Sequence, residues 1–505
     1  MDPAARSAPD PGAPPPRAAA APGAAEGGTQ DAAPPAGLDV DGQAGGREGA
    51  APGRGEAAAR GGGRRARWAW MLFDWAAQPY HTLVITFVFG PYFVSAVAAD
   101  PVRGQEMWGL AVGLGGVAIA LLAPLMGAMA DATGPRKPWV ALYSLMYVAG
   151  AWLLWFAAPG MAEPGWILAA FVVGLIGVEF ATVFTNAMMP DLAPPEEVGR
   201  LSGYGWALGY VGGVLALALM LGLLAENDAG VTLLGPPPAF GLDPEAREGT
   251  RMVGPLTAVW YALFAAPLFL FVPDAARRGP WRGAAGRGLR ELRASVLGLR
   301  TRRSLAWFLG ASMIYRDALN GFYAFGGVYA AGALGWSVVQ IGIFGILAAA
   351  VGAVGAWLGG RADAAWGPRP VVRATLWVLL AATLVGVSVS REAVLFVVPV
   401  EDGSGLPDLI FYISGALVGA AGGAMQAASR TLLVRQADPA RMTAAFGLYA
   451  LAGKATAFVA PLLVALVTAL SASQQAGVVP VALLFAAGLW ALGRVRDDTE
   501  REVRR

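Results

Sequence analysis

Six ionisable side chains fall inside long apolar stretches of this chain, where a charge is costly. They are Asp74, His81, Glu179, Arg316, Asp317 and Lys454. A charge at the middle of an apolar span costs about 2.5–3.5 kcal/mol on insertion scales, so such a group faces a cavity or a partner. A carboxylate in that setting can take up and release a proton, and a base can attract an anionic group. These residues therefore predict proton exchange and ion binding at membrane depth.

The spacing of the polar residues places two sets on single helix faces. Asp74, Gln78 and His81 stand at i, i+4 and i+7, which is one side of an α-helix. The same spacing recurs at Arg316, Asn320 and Tyr323. We expect both faces to line one central cleft, with Glu179 and Lys454 as further lining residues.

These residues also have plainer interpretations. Buried opposite charges, Lys454 and Asp317 among them, can simply pair across the bundle. Asp74 lies only about six residues, or roughly 9 Å, inside the start of its helix, so it can form a gate near the membrane surface. His81 can be a polar side chain hydrogen-bonded within the bundle. The sequence leaves these alternatives open.

The composition is that of a membrane protein. Of the 505 residues, 56% are hydrophobic and 14% are charged, against about 25% charged in a soluble domain. The chain has no Cys and one His, so we expect no metal site, no cofactor and no catalytic Cys or His cluster. The 37 basic and 35 acidic residues indicate no nucleic-acid partner, since the arginines cluster beside apolar spans. No phosphate-cradling motif or catalytic triad is recognisable, so an enzyme is not expected.

Apolar runs near the length of about 20 residues that crosses a bilayer recur twelve times. The first six are 68–98, 107–130, 138–158, 165–189, 203–225 and 254–273, and the second six are 305–333, 338–360, 371–390, 406–428, 443–470 and 476–493. The apolar stretch 394–400 either lengthens the ninth span or forms a re-entrant piece. The fold class is therefore an all-α membrane protein of twelve transmembrane helices.

Basic residues in the short connections indicate the orientation. With a cytoplasmic N-terminus, the inside connections hold most arginines, including Arg136, Arg200, Arg430 and Arg441, whereas the outside ones hold only Arg103, Arg247, Arg251 and Arg391. This asymmetry follows the positive-inside rule. We expect a multi-pass protein of the plasma (inner) membrane with both termini cytoplasmic, working as a monomer in the lipid bilayer.

The chain divides into five regions. They are a disordered Ala/Gly/Pro-rich cytoplasmic tail (1–66), a first six-helix bundle (67–273), a basic cytoplasmic connector (274–304), a second six-helix bundle (305–493) and a charged tail (494–505). In the connector, Leu289, Leu292 and Val296 stand at helical spacing among arginines. This pattern is typical of an amphipathic helix on the anionic leaflet, although a solvated basic linker has the same composition.

Three pairs of similar sequence segments relate the two halves. GAMADATGPRK, with Gly127, Asp131, Gly134, Arg136 and Lys137, recurs as GGRADAAWGPRP, with Asp363, Gly367 and Arg369, and the second copy has one extra residue between Asp and Gly. Arg200 and Arg441 open the fifth span of each half, and the segment around Asp74 resembles that around Asp317. The halves are therefore expected to be homologous bundles that enclose a central cleft, as alternating access requires.

The G-x-x-x-D-x-x-G-x-R-K pattern between the second and third spans resembles the signature loop of the major facilitator superfamily. In that family the Asp and Arg hold a charge network that includes the end of a helix from the other half. By this match, Asp131 and Arg136 are expected to form a conformational gate. The extra residue in the second copy makes the match of Asp363 less complete.

Further segments resemble the vacuole-effluxer-like branch of that superfamily. They are WAWMLFDWAAQPYHTLVITFVFGPYF, GYGWALGYVGG, IYRDALNGFYAFGGVYA, and SRTLLV followed by FGLYALAGKATAFVAPL. The resemblance implies a secondary transporter of a small organic solute such as an amino acid, with protons or another cation as the coupling ion. A cation-coupled sugar carrier of the same superfamily and a non-transporting sensor or scaffold on this fold are the alternatives. An acid that faces an intramembrane base would favour an amino acid, and paired carboxylates among Trp residues would favour a sugar.

Overall fold

The computed structural model describes residues 63–496, apart from residues 228, 281, 337 and 402. The predicted tails therefore lie almost wholly outside the described residues. Residues 63–66 and 494–496 are the exceptions, and Arg64 begins the first helix.

Twelve long helical segments run through the described part of the chain. The first half contains α1 (Arg64–Val97), α2 (Pro101–Thr133), α3 (Lys137–Leu153), α4 (Gly165–Ala187), α5 (Val198–Leu219) and α6 (Val253–Phe271). The second half contains α7 (Arg303–Leu334), α8 (Val338–Trp366), α9 (Pro368–Val387), α10 (Leu406–Gln436), α11 (Met442–Ala455 and Val459–Ser471) and α12 (Gln474–Leu492). Eleven of them are long and apolar enough to cross a membrane, and α7, which carries Arg316 and Asp317, is the twelfth.

We call the end of the bundle with Arg64 and the α2–α3 connection the basic end. A further helix, Ala284–Gly298, joins the halves there, and we call it the connector helix. It packs against the last turns of α2. The connector is therefore helical, as one of the two predictions for this region requires.

Prolines interrupt two of the spans. In α1 the α-helical part Arg64–Pro79 continues as wide turns over Tyr80–Phe87, and the chain breaks at Val88 before it resumes at Phe89. The α11 helix stops at Ala455 and restarts at Val459, and Pro461 stands in the first turn of the second piece. Because a proline ring clashes with the carbonyl four residues earlier, Pro461 favours a break before the second piece of α11.

The apolar stretch 394–400 neither lengthens α9 nor forms a helix. The α9 helix ends at Val387, and the chain folds into a small antiparallel hairpin of β1 (Ala393–Val394) and β2 (Val398–Pro399). Leu395 and Phe396 adopt positive φ angles of 53° and 65° at its turn. The prediction that this stretch lengthens the ninth span is wrong, because α9 ends at Val387 and a tight turn interrupts the apolar run. The alternative, a re-entrant piece, stays a prediction.

Small residues allow helices to approach closely. Gly205, Gly209 and Gly213 of α5 face α1, and Gly415, Gly419 and Gly423 of α10 face α8, so both ridges pack within their own half. The halves meet instead through other glycines at the basic end. A methyl group on Gly447 of α11 would lie 2.8 Å from Pro124 Cα of α2, and one on Gly360 of α8 would lie 2.9 Å from Gly203 Cα of α5. Backbone contact of this kind closes two seams between the halves.

Candidate functional site

The first polar cluster joins α2 to the start of α11 at the basic end. Asp131 is 5% exposed, and its carboxylate accepts hydrogen bonds from the backbone N–H groups of Thr443 at 3.1 Å and Ala444 at 2.7 Å. These N–H groups belong to the first turn of α11, where an anion is stabilised by the helix dipole. Gly127, one turn earlier, permits this approach, since a methyl group there would lie 3.0 Å from Ala444 Cα. The carboxylate thus binds the other half through backbone donors.

Arg136 extends this cluster in three directions. Its Nε donates to Thr443 Oγ1 at 3.1 Å, and its Nη1 lies 2.6 Å from Asp191 Oδ2 beyond α4. Its backbone N–H donates to Asp274 Oδ1 at 2.7 Å. Arg136 is only 5% exposed, so these partners replace water. Arg136 therefore ties α11, the α4–α5 connection and the chain after α6 to one loop.

The other residues of the first motif shape the loop. Gly134 has φ +100°, which side chains rarely adopt, and it lies against Arg278 of the connector. Lys137 Nζ donates to Phe269 O at 2.9 Å, and its backbone N–H donates to Asp274 Oδ2 at 3.0 Å. These contacts fasten the loop to the end of α6.

The second copy of the motif occupies the equivalent seam between α8 and α5. Asp363 is fully buried and faces the first turn of α5, where a methyl group on Gly199 would lie 2.8 Å from Asp363 Oδ1. Gly367 has φ +85°, so both copies end their helix with a glycine in a conformation that L side chains rarely adopt. Arg369 Nη2 donates to Gly493 O at 3.4 Å within the second half. With the extra residue in this copy, Asp363 stays at the interface between the halves, while Arg369 contacts the end of α12 in its own half.

A second polar cluster is centred on Arg430 of α10. Its Nη1 lies 3.0 Å from Asp74 Oδ2 of α1 and 3.0 Å from Asn186 Oδ1 of α4. Its Nε donates to Ser202 Oγ at 3.1 Å, and its Nη2 donates to Ser202 O at 2.7 Å. The guanidinium also lies 4.8 Å from the ring centre of Trp206. With 2% exposure, one arginine of the second half is thus bound entirely by the first half.

The prediction that Arg430 lies in a connection on the inside is wrong. The α10 helix runs to Gln436, two turns past the predicted end at residue 428, and Arg430 is buried within it. Arg430 was missed because the positive-inside count assigns an arginine near the end of a span to the loop. The signal was that no Gly or Pro stands between Arg430 and Pro439 to end the helix earlier.

The third polar cluster lies at mid-span between α4 and α11. Lys454 Nζ is 2.8 Å from Glu179 Oε1, and the two side chains are 32% and 19% exposed. Lys454 stands in the last turn of the first piece of α11, where a helix C-terminus stabilises a cation. The pair joins the two halves, and both side chains stay partly exposed. Lys454 therefore pairs with Glu179 and not with Asp317.

Two further predicted residues lie beside this pair. His81 of α1 is within electrostatic range of both Glu179 and Lys454. Arg316 of α7 is within range of Glu179, donates from Nη1 to Tyr449 O at 2.9 Å, and stacks 4.3 Å from the ring centre of Tyr449. The mid-span cluster thus contains one acid with three basic side chains around it.

Asp317 lies apart from the cleft. It is 2% exposed, and its Oδ2 accepts the backbone N–H of Ala460 at 3.0 Å, so it caps the second piece of α11 within its own half. Its Oδ1 has no hydrogen-bond partner among the described residues. Gln78 is partly buried against Gly213 of α5, and Asn320 is exposed on α7. The residues predicted to line one cleft therefore have different positions. His81 and Arg316 lie beside the Glu179–Lys454 pair, whereas Gln78 and Asp317 contact other helices of their own halves.

The arrangement is suited to ion pairing that changes with conformation, and less to bond chemistry. Within the described residues no three His, Asp or Glu side chains are grouped to hold a metal ion. Each cluster instead joins the two halves through groups that separate if the halves move apart. Two clusters lie at the basic end, and the third lies halfway across the bundle.

Comparison with known proteins shows a transporter family. The model of the family described as "Vacuole effluxer Atg22 like" matches residues 110–503. An MFS-type transporter of Bacillus subtilis, YxiO, is 23% identical over 443 residues, which are 86% of this chain and 96% of the relative.

Solved structures show the same fold at low identity. The human organic anion transporter MFSD10 has a TM-score of 0.62 and 19% identity, over 85% of this chain and 99% of its own. FucP in the outward conformation has a TM-score of 0.62 and 15% identity, over 86% and 98%. These proteins are transporters and not enzymes, as the sequence predicts for this chain. The chain is a multi-pass membrane protein with the twelve-helix major facilitator fold, and it belongs to the vacuole effluxer Atg22-like family of that superfamily.

Proposed function

We propose that this protein is a secondary active transporter that moves a small organic solute, most favourably an amino acid, by proton-coupled alternating access. The observation that carries the proposal is the ion pair between Lys454 and Glu179, 2.8 Å apart across the cleft and partly exposed to it. A zwitterion offers a carboxylate to the lysine and an ammonium group to the glutamate. Its two charges can therefore replace the internal pair without leaving either side chain unpaired.

This exchange makes binding and conformation interdependent. Without solute, the pair links α4 of the first half to α11 of the second half. With solute, the same two side chains are held through the solute, and the neighbouring His81 and Arg316 add positive potential beside the carboxylate. An uncharged or singly charged ligand would leave Lys454 or Glu179 without a partner, so it would bind poorly.

Glu179 is the carboxylate that we assign to the coupling proton. Its side chain reaches the cleft, whereas Asp74 is bound by Arg430 near the basic end and Asp317 caps a helix within its half. Protonation of Glu179 would release Lys454 and so favour exchange of the solute. Asp74, Asp131 and Arg136 then act in the gate and not in coupling.

The basic end faces the cytoplasm in this proposal, because arginine-rich connections stay on the inside. Both termini are then cytoplasmic, the membrane is the bacterial inner membrane, and the working unit is a monomer. The gate at the basic end is closed through Asp131, Arg136 and Arg430. The structure then corresponds to an outward-facing conformer, the state reported for FucP.

A sugar carrier and a scaffold are the competing functions. XylE and FucP are named for sugars and protons, but at 13–15% identity they share only the fold with this chain. At mid-span an acid faces a base, which suits a zwitterion better than a neutral sugar. A scaffold would need no exposed ion pair in the cleft.

Thermal stabilisation of the purified protein by amino acids, organic acids and sugars tests the solute class, since a ligand that binds the folded state raises the midpoint of unfolding. Flux into proteoliposomes with and without a pH gradient then tests coupling. We expect an amino acid to stabilise the protein, Glu179→Gln to abolish pH-driven flux, and Lys454→Met to abolish binding. Glu163→Gln, an exposed acid just before α4, is the matched control. Stabilisation by sugars alone, or unchanged coupling in Glu179→Gln, would contradict the proposal.

A further inference from the structure

The connector helix has two different faces. One face, with Ala284, Gly288 and Leu292, packs against the end of α2, where a methyl group on Gly288 would lie 2.9 Å from Met129 N. The outward side is exposed and carries large apolar side chains: Leu289 is 60% exposed, Val296 47% and Leu297 48%. Leu292 lies at the boundary between the two sides. An exposed apolar stripe on a short helix is unfavourable in water, at about 25 cal/mol per Å² of apolar surface. It therefore calls for an apolar neighbour.

Arginines flank this stripe. Arg290, Arg293 and Arg300 are exposed, and their side chains form no ion pair or hydrogen bond with another residue described by the structure. At 100° per residue, Arg293 projects between Leu289 and Leu297 and Arg290 lies beside Leu297, while Arg300 follows the end of the helix at Gly298. Long arginine side chains beside an apolar stripe can lie along it and hold their charge in a polar layer. This side of the helix therefore combines apolar side chains, which can insert into a bilayer, with positive charge.

The helix is held at the level where the spans leave the bundle. Just before it, the backbone N–H of Arg278 donates to Thr133 O at 2.9 Å, at the last residue of α2. Just after it, Arg303 begins α7. Both attachments lie at the ends of membrane-spanning helices, so the exposed face is next to the bilayer surface.

We propose that the connector helix binds the surface of anionic lipids, with Leu289, Val296 and Leu297 inserted among the acyl chains and Arg290, Arg293 and Arg300 against the lipid phosphates. Interfacial helices of this composition insert about 5–10 Å into the boundary between headgroups and chains. Each arginine near an anionic surface strengthens binding by roughly fivefold, so the three together contribute about a hundredfold. This inference does not depend on the solute or on the coupling ion.

Spin labels on the full-length protein test this placement, and the chain has no Cys that would compete for the label. Leu289→Cys and Val296→Cys are labelled and reconstituted into nanodiscs of phosphatidylcholine with or without about 30% phosphatidylglycerol, which supplies the anionic surface. Collision with oxygen against collision with a water-soluble nickel complex reports the depth of each label. We expect both labels to be oxygen-accessible and nickel-protected with phosphatidylglycerol. Ala294→Cys, exposed on the opposite edge of the helix, is the matched control and should stay accessible to nickel.

A second variant separates charge from apolar insertion. Changing Arg290, Arg293 and Arg300 together to Gln should lower the ratio of inserted to free label by about a hundredfold with phosphatidylglycerol and leave it nearly unchanged in pure phosphatidylcholine. Nickel-accessible labels at both positions in both lipids would overturn the proposal and identify a solvated linker. If insertion depends neither on lipid charge nor on the Arg→Gln changes, the proposed binding of anionic lipid is overturned. Flux measurements are not needed, so failure here is distinct from failure of the proposed transport function.

Discussion

Arg430→Met should open the basic end of the protein. In the described structure every charged or side-chain partner of the guanidinium belongs to the first half: Asp74, Asn186 and Ser202. The substitution leaves the Asp74 carboxylate, 13% exposed, without its base. Removing one partner of a buried pair costs about 3–5 kcal/mol.

This loss destabilises the closed conformer, because only there do Arg430 and Asp74 pair. If the halves separate at the basic end, Asp74 gains water, so the penalty is largely relieved in the open conformer. At about 1.4 kcal/mol per tenfold, the ratio of open to closed protein should rise by roughly a hundredfold or more. The overall stability of each half should change much less, because the Arg430 side chain binds across the seam and not within its own half.

Distances between spin labels across the basic end measure this ratio. Glu196→Cys, in the connection before α5, and Ala365→Cys, near the end of α8, are both exposed and lie in different halves. We expect Arg430→Met to add a population at longer distance, and Arg373→Met, an exposed arginine of α9, to leave the distribution unchanged.

The double variant Asp74→Asn with Arg430→Met provides the stricter test. Because it removes both charges, it should restore part of the short-distance population. If Arg430→Met leaves the distribution as in the parent, or if the double variant is as open as Arg430→Met, the arginine does not hold the halves together through Asp74.

Three further predictions concern the other contacts. Asp131→Asn should favour the open basic end by about 0.3–2 kcal/mol, since it removes the negative charge at the start of α11, and an unchanged label distance would contradict this. Gly447→Ala should prevent closure of the α2–α11 seam and reduce flux severely, while Gly286→Ala, where a methyl group meets open space, should leave flux intact. Asp317→Ala should lower the free energy of unfolding by about 1 kcal/mol in thermal or denaturant assays without removing pH-driven flux, since it removes the cap of the second piece of α11. Loss of coupling would reassign the proton to Asp317.

The twelve spans and the two related halves could be predicted because both depend on local sequence: the length of apolar runs and the recurrence of a loop motif. The partners of the buried charges could not. Whether Lys454 meets Glu179 or Asp317 depends on how each helix is rotated in the bundle, which the positions along the chain do not determine. The break in α11 was accessible in principle, since Pro461 stands seven residues after Lys454.

Arg430 illustrates the limit of counting charges. An arginine near a span end is placed in a loop by the positive-inside rule, yet a buried network of the other half accommodates it within the helix. Nothing in the sequence near Arg430 names its partners, because they come from three helices more than 200 residues away. The hairpin at 393–399 was missed for a different reason, because its turn lacks the glycine that usually marks such turns.

The ion pairs between the halves have a consequence for how the two halves recognise each other. In both pairs the first half supplies the anion, Asp74 or Glu179, and the second half supplies the cation, Arg430 or Lys454. Two copies of the same half would set like charges against each other. A chain severed within the connector should therefore reassemble from its two unlike fragments in preference to pairing of either fragment with itself. Although the two halves share a common ancestry, one half can no longer replace the other.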